Sequence, residues 1–154
     1  MRRTLQRSLV IVVAGAAIGL VGNAVSPRGI AWLTPPPARW EAKDNVALDE
    51  AKQFWSSGAA VFLDARSPAD YAAGHIANAF NLPAEKFDEH YPQVATMLAP
   101  DTRIVCYCDG VECDLSHHLV ELLRQRGYTS VRILVNGWTS WHRAGYPTTK
   151  GTQP

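Results

Sequence analysis

The sequence predicts an α/β fold in which a central, mainly parallel sheet is flanked by helices, preceded by one transmembrane helix. Three observations lead there. Short apolar runs alternate with amphipathic stretches from about residue 46 onward, the pattern of βαβ units. One of those runs, Arg103 to Tyr107, carries Ile104, Val105, Cys106 and Tyr107 in near-continuous succession, as expected of a parallel strand covered on both faces. Finally, Ser8 to Pro27 contains no charged residue.

That uncharged segment sets the domain organisation. At about 1.5 Å per helical residue it spans roughly 30 Å, enough for a bilayer. Arg2, Arg3 and Arg7 precede it and no acid appears before Glu41, so the positive-inside rule keeps the terminus cytoplasmic and exports the rest of the chain. Residues 1–27 thus read as a basic tip and transmembrane signal anchor. Gly22-Asn23-Ala24 offers a cleavage site, and secretion after signal removal is the alternative. Residues 28–40, with Pro35, Pro36 and Pro37, read as a stiff linker, 41–150 as one domain and 151–154 as a flexible tail. The first forty residues hold five Arg and no acid, whereas the rest hold ten Lys plus Arg against fourteen Asp plus Glu. A mildly acidic domain gives no reason to expect nucleic-acid binding.

Within the domain, Leu48 to Ser57 reads as a helix ended by Gly58, and Ala60 to Asp64 as a strand. Ser67 caps a short helix, Pro68 to Ala73, with Pro68 at its first position and Asp70 completing a capping box. Ala79 to Leu82 reads as a strand, and Ala84 to Leu98 as one or two helices broken at Pro92. Arg103 to Tyr107 follows as a strand. Leu115 to Arg126 sets Leu115, Leu119, Leu122 and Leu123 on one helical face against Glu121, Arg124 and Gln125, and Gly127 caps it. Val131 to Val135 and Trp138 to Ala144 complete the series. No internal repeat is present.

Cys108 stands where the apolar strand ends and the Asp109-Gly110-Val111 turn leads to the helix. In open α/β sheets ligands bind at that carboxyl edge. Backbone N–H groups and a helix amino terminus converging there favour thiolate over thiol, making Cys108 the candidate nucleophile. Cys106, in mid-strand, reads as a small buried hydrophobe. A metal site built from Cys106, Cys108, Cys113, His117 and His118 lacks the usual paired spacing, so no metal is expected.

At these residues the chain resembles the rhodanese superfamily. Leu63-Asp64-Ala65-Arg66-Ser67-Pro68, Asp70-Tyr71 and Gly74-His75-Ile76-Ala77-Asn78-Ala79-Phe80-Asn81-Leu82-Pro83 look like its amino-terminal signature, and Tyr107-Cys108-Asp109-Gly110 like its active-site loop. Gly127-Tyr128, Asn136-Gly137-Trp138, Trp141, Gly145 and Pro147 look like its carboxyl end. The resemblance implies a three-layer rhodanese-like fold and a single-domain sulfurtransferase or persulfide carrier, in which Cys108 takes sulfane sulfur from a donor and passes it to a thiol acceptor. It implies no metal and no cofactor, and it gives the Asp64 and Arg66 pair a supporting role beside the site. The partners it implies are a small sulfur donor or a thiol or persulfide protein, together with the membrane through the anchor. His75 reads as a residue that fixes a loop through hydrogen bonds, not as a base.

The loop departs from the family pattern. Asp109, Gly110, Val111, Glu112, Cys113 and Asp114 include three acids and no base, where thiosulfate-using members carry a basic residue. Each close carboxylate would repel a dianionic donor by roughly 1 to 4 kcal/mol, which argues against efficient thiosulfate turnover. With Asp114 at the phosphate-binding position, a phosphatase is disfavoured too. Cys113, five residues after Cys108, is a candidate resolving thiol, and in an oxidising compartment a Cys108 to Cys113 disulfide is expected unless a thiol partner opens it. Two other functions remain open on these residues: thiol-disulfide exchange through that pair, and a noncatalytic rhodanese-fold module that docks a partner.

Overall fold

The computed structural model describes residues 44–110 and 114–154 together with Val12, Gly15 and Gly19, which are helical. The chain divides into two compact units, Met1–Arg39 and Trp40–Pro154. Apart from those three positions, the expected anchor Ser8 to Pro27 and the linker after it lie outside the described residues. Among the described residues, no helix is long and apolar enough to cross a membrane.

The second unit alternates helix and strand in the order α1 (Leu48–Ser57), β1 (Val61–Asp64), α2 (Pro68–Ala73), β2 (His75–Ile76), β3 (Phe80–Asn81), a 3-10 turn (Ala84–Lys86), α3 (Phe87–Ala95), β4 (Ile104–Tyr107), α4 (Asp114–Gln125), β5 (Val131–Leu134), α5 (Gly137–Arg143) and β6 (Thr148–Thr149). Four strands form one parallel sheet in the order β3-β1-β4-β5. In its register Leu63 lies beside Cys106 and Asp64 beside Tyr107, and the next strand sets Ile133 beside Cys106.

Because side chains alternate across a strand, each apolar run feeds two cores. Leu63, Ile104, Cys106, Cys108, Val131 and Ile133 face one side, covered by Phe87 and Val94 of α3 and by Leu119, Val120 and Leu123 of α4. Phe62, Val105, Tyr107 and Leu134 face the other, covered by Ala51, Phe54 and Trp55 of α1 and by Trp138 and Trp141 of α5. The result is the three-layer arrangement that the uninterrupted apolar strands demand. Fully burying each large side chain contributes roughly 1.5 to 3 kcal/mol. Trp141 anchors the second core, edge-on to Trp55 at 6.0 Å and tilted against Phe62 at 5.7 Å.

Several local expectations shift. The break between Ala84 and Leu98 falls at Lys86, where ψ of 35° departs from helical geometry, and Pro92 lies inside α3. The carbonyl that Pro92 deprives of a donor belongs to Asp88, and both residues lie toward solvent, so water can satisfy it. Ser67 caps α2 by accepting from the Asp70 N–H at 3.2 Å, but its hydroxyl then donates to the Asp70 carboxylate at 2.6 Å. An unforeseen antiparallel ladder pairs β2 with β6, His75 opposite Thr149, and closes the carboxyl end onto the domain. The adjoining tail is tied down at its start, where the Gly151 N–H donates to the Ala72 carbonyl at 2.9 Å.

Candidate active site

Cys108 leaves the carboxyl end of β4, between β1 and β5, with its side chain on the face shared by Cys106 and Leu63. Its sulfur is disulfide-bonded, and the residue is only 2% exposed. Cys106 is a free thiol, fully buried, and burial pushes its ionisation well above the ordinary cysteine range, so it is chemically silent. The remaining loop positions named from the sequence, Val111, Glu112 and Cys113, lie outside the described residues.

Beyond the loop, α4 begins at Asp114, one residue earlier than its apolar periodicity predicts. An acid suits that position, since the first turn of a helix carries unsatisfied N–H groups. Ser116 is two residues further on, buried at 2% exposure, and its Oγ lies 3.2 Å from the Cys108 sulfur. Nothing in the sequence singles it out, because a serine in the first turn of an amphipathic helix reads as neutral.

The turn after Cys108 is stitched to the adjoining β5–α5 connection. Gly110 takes φ of +86°, a conformation that favours glycine. Its N–H donates to Oδ1 of Asp109 and to Oδ1 of Asn136, each at 3.0 Å. The Thr139 hydroxyl donates to the same Asp109 oxygen at 2.5 Å, and the Trp138 N–H donates to the Cys108 carbonyl at 3.1 Å. Hence one of the amides expected to face the sulfur is directed at two side-chain oxygens instead, since a neighbouring carboxylate outcompetes sulfur as an acceptor. Among the described residues the donor group seen at the sulfur is a hydroxyl.

Asn136 and Gly137 make that stitching possible. Asn136 is left-handed at φ 49° and ψ 40°, and a Cβ added to Gly137 would stand 2.5 Å from the Tyr107 Cβ. A signal for this exists in the sequence, an Asn-Gly dipeptide at the carboxyl end of a strand adjoining the cysteine strand, but by itself it marks only a turn before a helix.

Asp64 and Arg66 also reach the carboxyl edge of the sheet, as a parallel arrangement requires. Their side chains, however, join Tyr107 and Trp138 on the face opposite Cys108. Arg66 Nε donates to Asp64 Oδ1 at 3.0 Å, Nη2 to Oδ2 at 2.5 Å and to the Gly74 carbonyl at 2.8 Å, and the guanidinium lies 4.8 Å from the Trp138 ring centre. Burial opposes the Arg66 charge, yet hydrogen bonding and the charge of Asp64 hold its ionisation above the usual arginine value. Asn81 binds the Asp64 and Arg66 carbonyls at 3.1 and 3.0 Å, locking the β1–α2 turn. The Tyr107 hydroxyl accepts the Ile76 N–H at 3.1 Å, and burial, then the Asp64 charge, drive its ionisation far up. This pair is a buried clamp that reaches the cysteine loop through Trp138, whose ring stacks on Arg66 and whose N–H holds the Cys108 carbonyl.

His75 is buried, its Nδ1 donating to the Tyr71 carbonyl at 2.9 Å and its ring stacked on Tyr71 at 3.7 Å. It therefore fixes the α2–β2 turn. Trp141 packs in the core and Trp138 is half-buried at the loop. Of the two adjacent histidines of α4, His117 is half-buried and His118 exposed. Among the described residues, no group of three or more His, Cys, Asp or Glu is arranged to hold a metal ion.

Comparison with known proteins agrees with this architecture. The rhodanese-like domain family matches residues 47–144. An HTH-type transcriptional regulator of Mycobacterium tuberculosis is 29% identical over 109 residues, 71% of this chain and 46% of that protein, so the chain spans about half the length of that relative. The solution structure of a rhodanese-like domain from an Anabaena sp. protein superposes with a TM-score of 0.59 at 28% identity, covering 71% of this chain and 80% of that one. The crystal structure of a thiosulfate sulfurtransferase from Pseudomonas aeruginosa gives a TM-score of 0.59 at 24% identity over 71% of this chain and 20% of that one, a likeness of fold. A parallel sheet between two helical layers, a cysteine loop at its carboxyl edge and a family match over most of the folded unit agree: this chain belongs to the rhodanese-like domain family.

Proposed function

We propose that this protein is a sulfurtransferase that carries sulfane sulfur as a persulfide on Cys108 and delivers it to a thiol acceptor. The observation that carries this reading is the position of Cys108, at the carboxyl end of a central parallel strand and the start of a loop leading to a helix, in a rhodanese-like domain.

The disulfide on Cys108 defines the first step. A reductant of the dithiol class opens it, giving two protein thiols and its own disulfide. The Cys108 thiolate then attacks the sulfane sulfur of a donor; an S–S bond forms at Cys108, the donor's bond to that sulfur breaks, and the donor leaves with the electron pair. An acceptor thiolate next attacks the outer sulfur, becomes the persulfide and regenerates Cys108 thiolate. No net oxidation occurs in the transfer cycle. In this reading Cys113, named from the sequence, serves as the resolving thiol.

Donor charge follows from the loop. Asp109 is exposed and Asp114 opens α4 at the surface. A dianion such as thiosulfate meets repulsion there, and a neutral or singly charged sulfane-sulfur donor meets less. The expected donor is therefore a small-molecule or protein persulfide. Asp109, bound to Thr139 and Gly110, holds the loop in place and keeps that negative charge near the site. In the full chain, Ser8 to Pro27 anchors the domain on the exported side, the compartment in which a disulfide persists.

The test loads the reduced full-length protein with a small-molecule persulfide and measures cyanide-labile sulfur. The expected result is one labile sulfur per chain, lost in Cys108→Ser; a noncatalytic docking module would take up none. A second reading, thiol-disulfide exchange, is favoured by the disulfide itself. It predicts that Cys113→Ser accumulates mixed disulfides on Cys108 with a partner protein, without sulfur uptake.

A further inference from the structure

Sulfur transfer needs the Cys108 thiolate to be held and its persulfide to be oriented, and the amide of Gly110 is engaged elsewhere. Among the described residues, the Ser116 hydroxyl approaches the sulfur, 3.2 Å away and buried with it. A disulfide-bonded sulfur has no hydrogen to donate. Across this contact, then, only the hydroxyl can donate while the disulfide is intact. From this geometry we infer that Ser116 is the positioning residue of the sulfur-transfer site, donating its hydroxyl to Cys108 Sγ in the disulfide and more strongly in the thiolate and persulfide. The inference rests on the sulfurtransferase reading for its functional meaning, but the effect on thiol reactivity stands apart from it.

Three features make Ser116 suitable. It lies in the first turn of α4, where its backbone is fixed by a helix whose Leu119, Val120 and Leu123 are buried against the sheet. The site is shielded, so a hydrogen bond to an anion there is stronger than one in water. The acids around it, Asp109 and Asp114, disfavour a thiolate, so a directed donor counts for more here than in a basic loop. On loading, the Ser116 proton follows the charge from the Cys108 sulfur toward the outer sulfur; no bond to Ser116 is made or broken, and its proton is not transferred.

The test uses the reduced full-length chain in a Cys113→Ser background, so that alkylation reports Cys108, the Cys106 thiol being kept un-ionised by its burial. The rate with a neutral alkylating agent is followed against pH, with the modified cysteine located by peptide mapping. Ser116→Ala is expected to move the pH midpoint up by roughly one unit and to slow alkylation at pH 7 about tenfold. Ser116→Thr, which keeps a hydroxyl, restores the midpoint, and Ser116→Val, the isostere of that threonine without a hydroxyl, does not; that pair repeats the comparison should the alanine variant fold poorly. A midpoint unmoved in Ser116→Ala and identical between Thr and Val overturns the inference. Persulfide loading is measured on the same samples. A shifted midpoint with no sulfur taken up by any variant upholds the role of Ser116 toward the thiolate and refutes the sulfurtransferase reading, so the two failures are told apart.

Discussion

Removing the carboxylate of Asp64 provides a severe test of how the β1–α2 turn and the cysteine loop are supported. Asp64 is fully buried and Arg66 is 7% exposed, and the guanidinium donates to Asp64 through Nε at 3.0 Å and Nη2 at 2.5 Å, while the Arg66 backbone N–H binds the same carboxylate at 3.0 Å. In Asp64→Ala those bonds vanish together and a buried cation is left without its countercharge. Breaking a buried pair on one side destabilises by about 3 to 5 kcal/mol. The lower end applies, because Arg66 keeps the Gly74 carbonyl at 2.8 Å and the face of Trp138 at 4.8 Å. A loss of about 3 kcal/mol corresponds to a fall in Tm of roughly 10 °C for a domain of this size. Urea unfolding followed by tryptophan fluorescence reads it directly, since Trp138 sits on the clamp. Asp64→Leu combined with Arg66→Met is expected to destabilise less than Asp64→Ala alone, because no unpaired charge remains. A loss below about 1 kcal/mol in Asp64→Ala, or a double variant worse than the single, refutes the buried-clamp role of the pair.

Other substitutions probe the same scaffold. Gly137→Ala places a methyl group 2.5 Å from the Tyr107 Cβ and 3.3 Å from the Leu134 Cγ, and an overpacked site of this kind loses about 1 to 3 kcal/mol; chemical denaturation checks it, and Cys108 alkylation after reduction should change as the loop shifts. Tyr107→Phe removes the acceptor of the buried Ile76 N–H, with an expected loss of about 1 to 3 kcal/mol by the same assay. Burial, above all, pushes Tyr71 and Tyr128 up to about 12, so the folded chain keeps protons that the unfolded chain releases near 10. Stability is therefore fully present below pH 10 and falls as pH rises from there through about 12. Tyrosinate absorbance should rise in two steps, the later coinciding with unfolding; a single step near pH 10 contradicts this.

Most of the framework is legible in the sequence because the strands are apolar on both faces and the helices punctuated by Gly58, Gly127 and Pro68. Periodicity and capping residues give Leu48–Ser57 and Pro68–Ala73 with their observed bounds. What escapes has physical causes. Pro92 reads as a breaker because sequence does not reveal that Asp88 and Pro92 lie on the exposed side of α3. Two-residue strands such as His75–Ile76 and Thr148–Thr149 are made by tertiary pairing, not by local preference. At the site, Cys108 and the Asp64–Arg66 pair are visible as residues, but the face each side chain takes depends on where the strand ends. The parts played by Ser116, Asn136 and Thr139 lie in through-space contacts, and spacing alone carries no record of them.

Whether Cys108 carries transferable sulfur is decided by following one labelled atom. A small-molecule persulfide bearing isotopically labelled outer sulfur is added to the reduced protein, followed by an acceptor thiol, with peptide mass spectrometry at each stage. A persulfide carrier shows a single labelled sulfur on the Cys108 peptide, which moves to the acceptor as the peptide returns to its original mass. Label that never reaches Cys108, or that persists in the protein after Cys108→Ser, rules that role out.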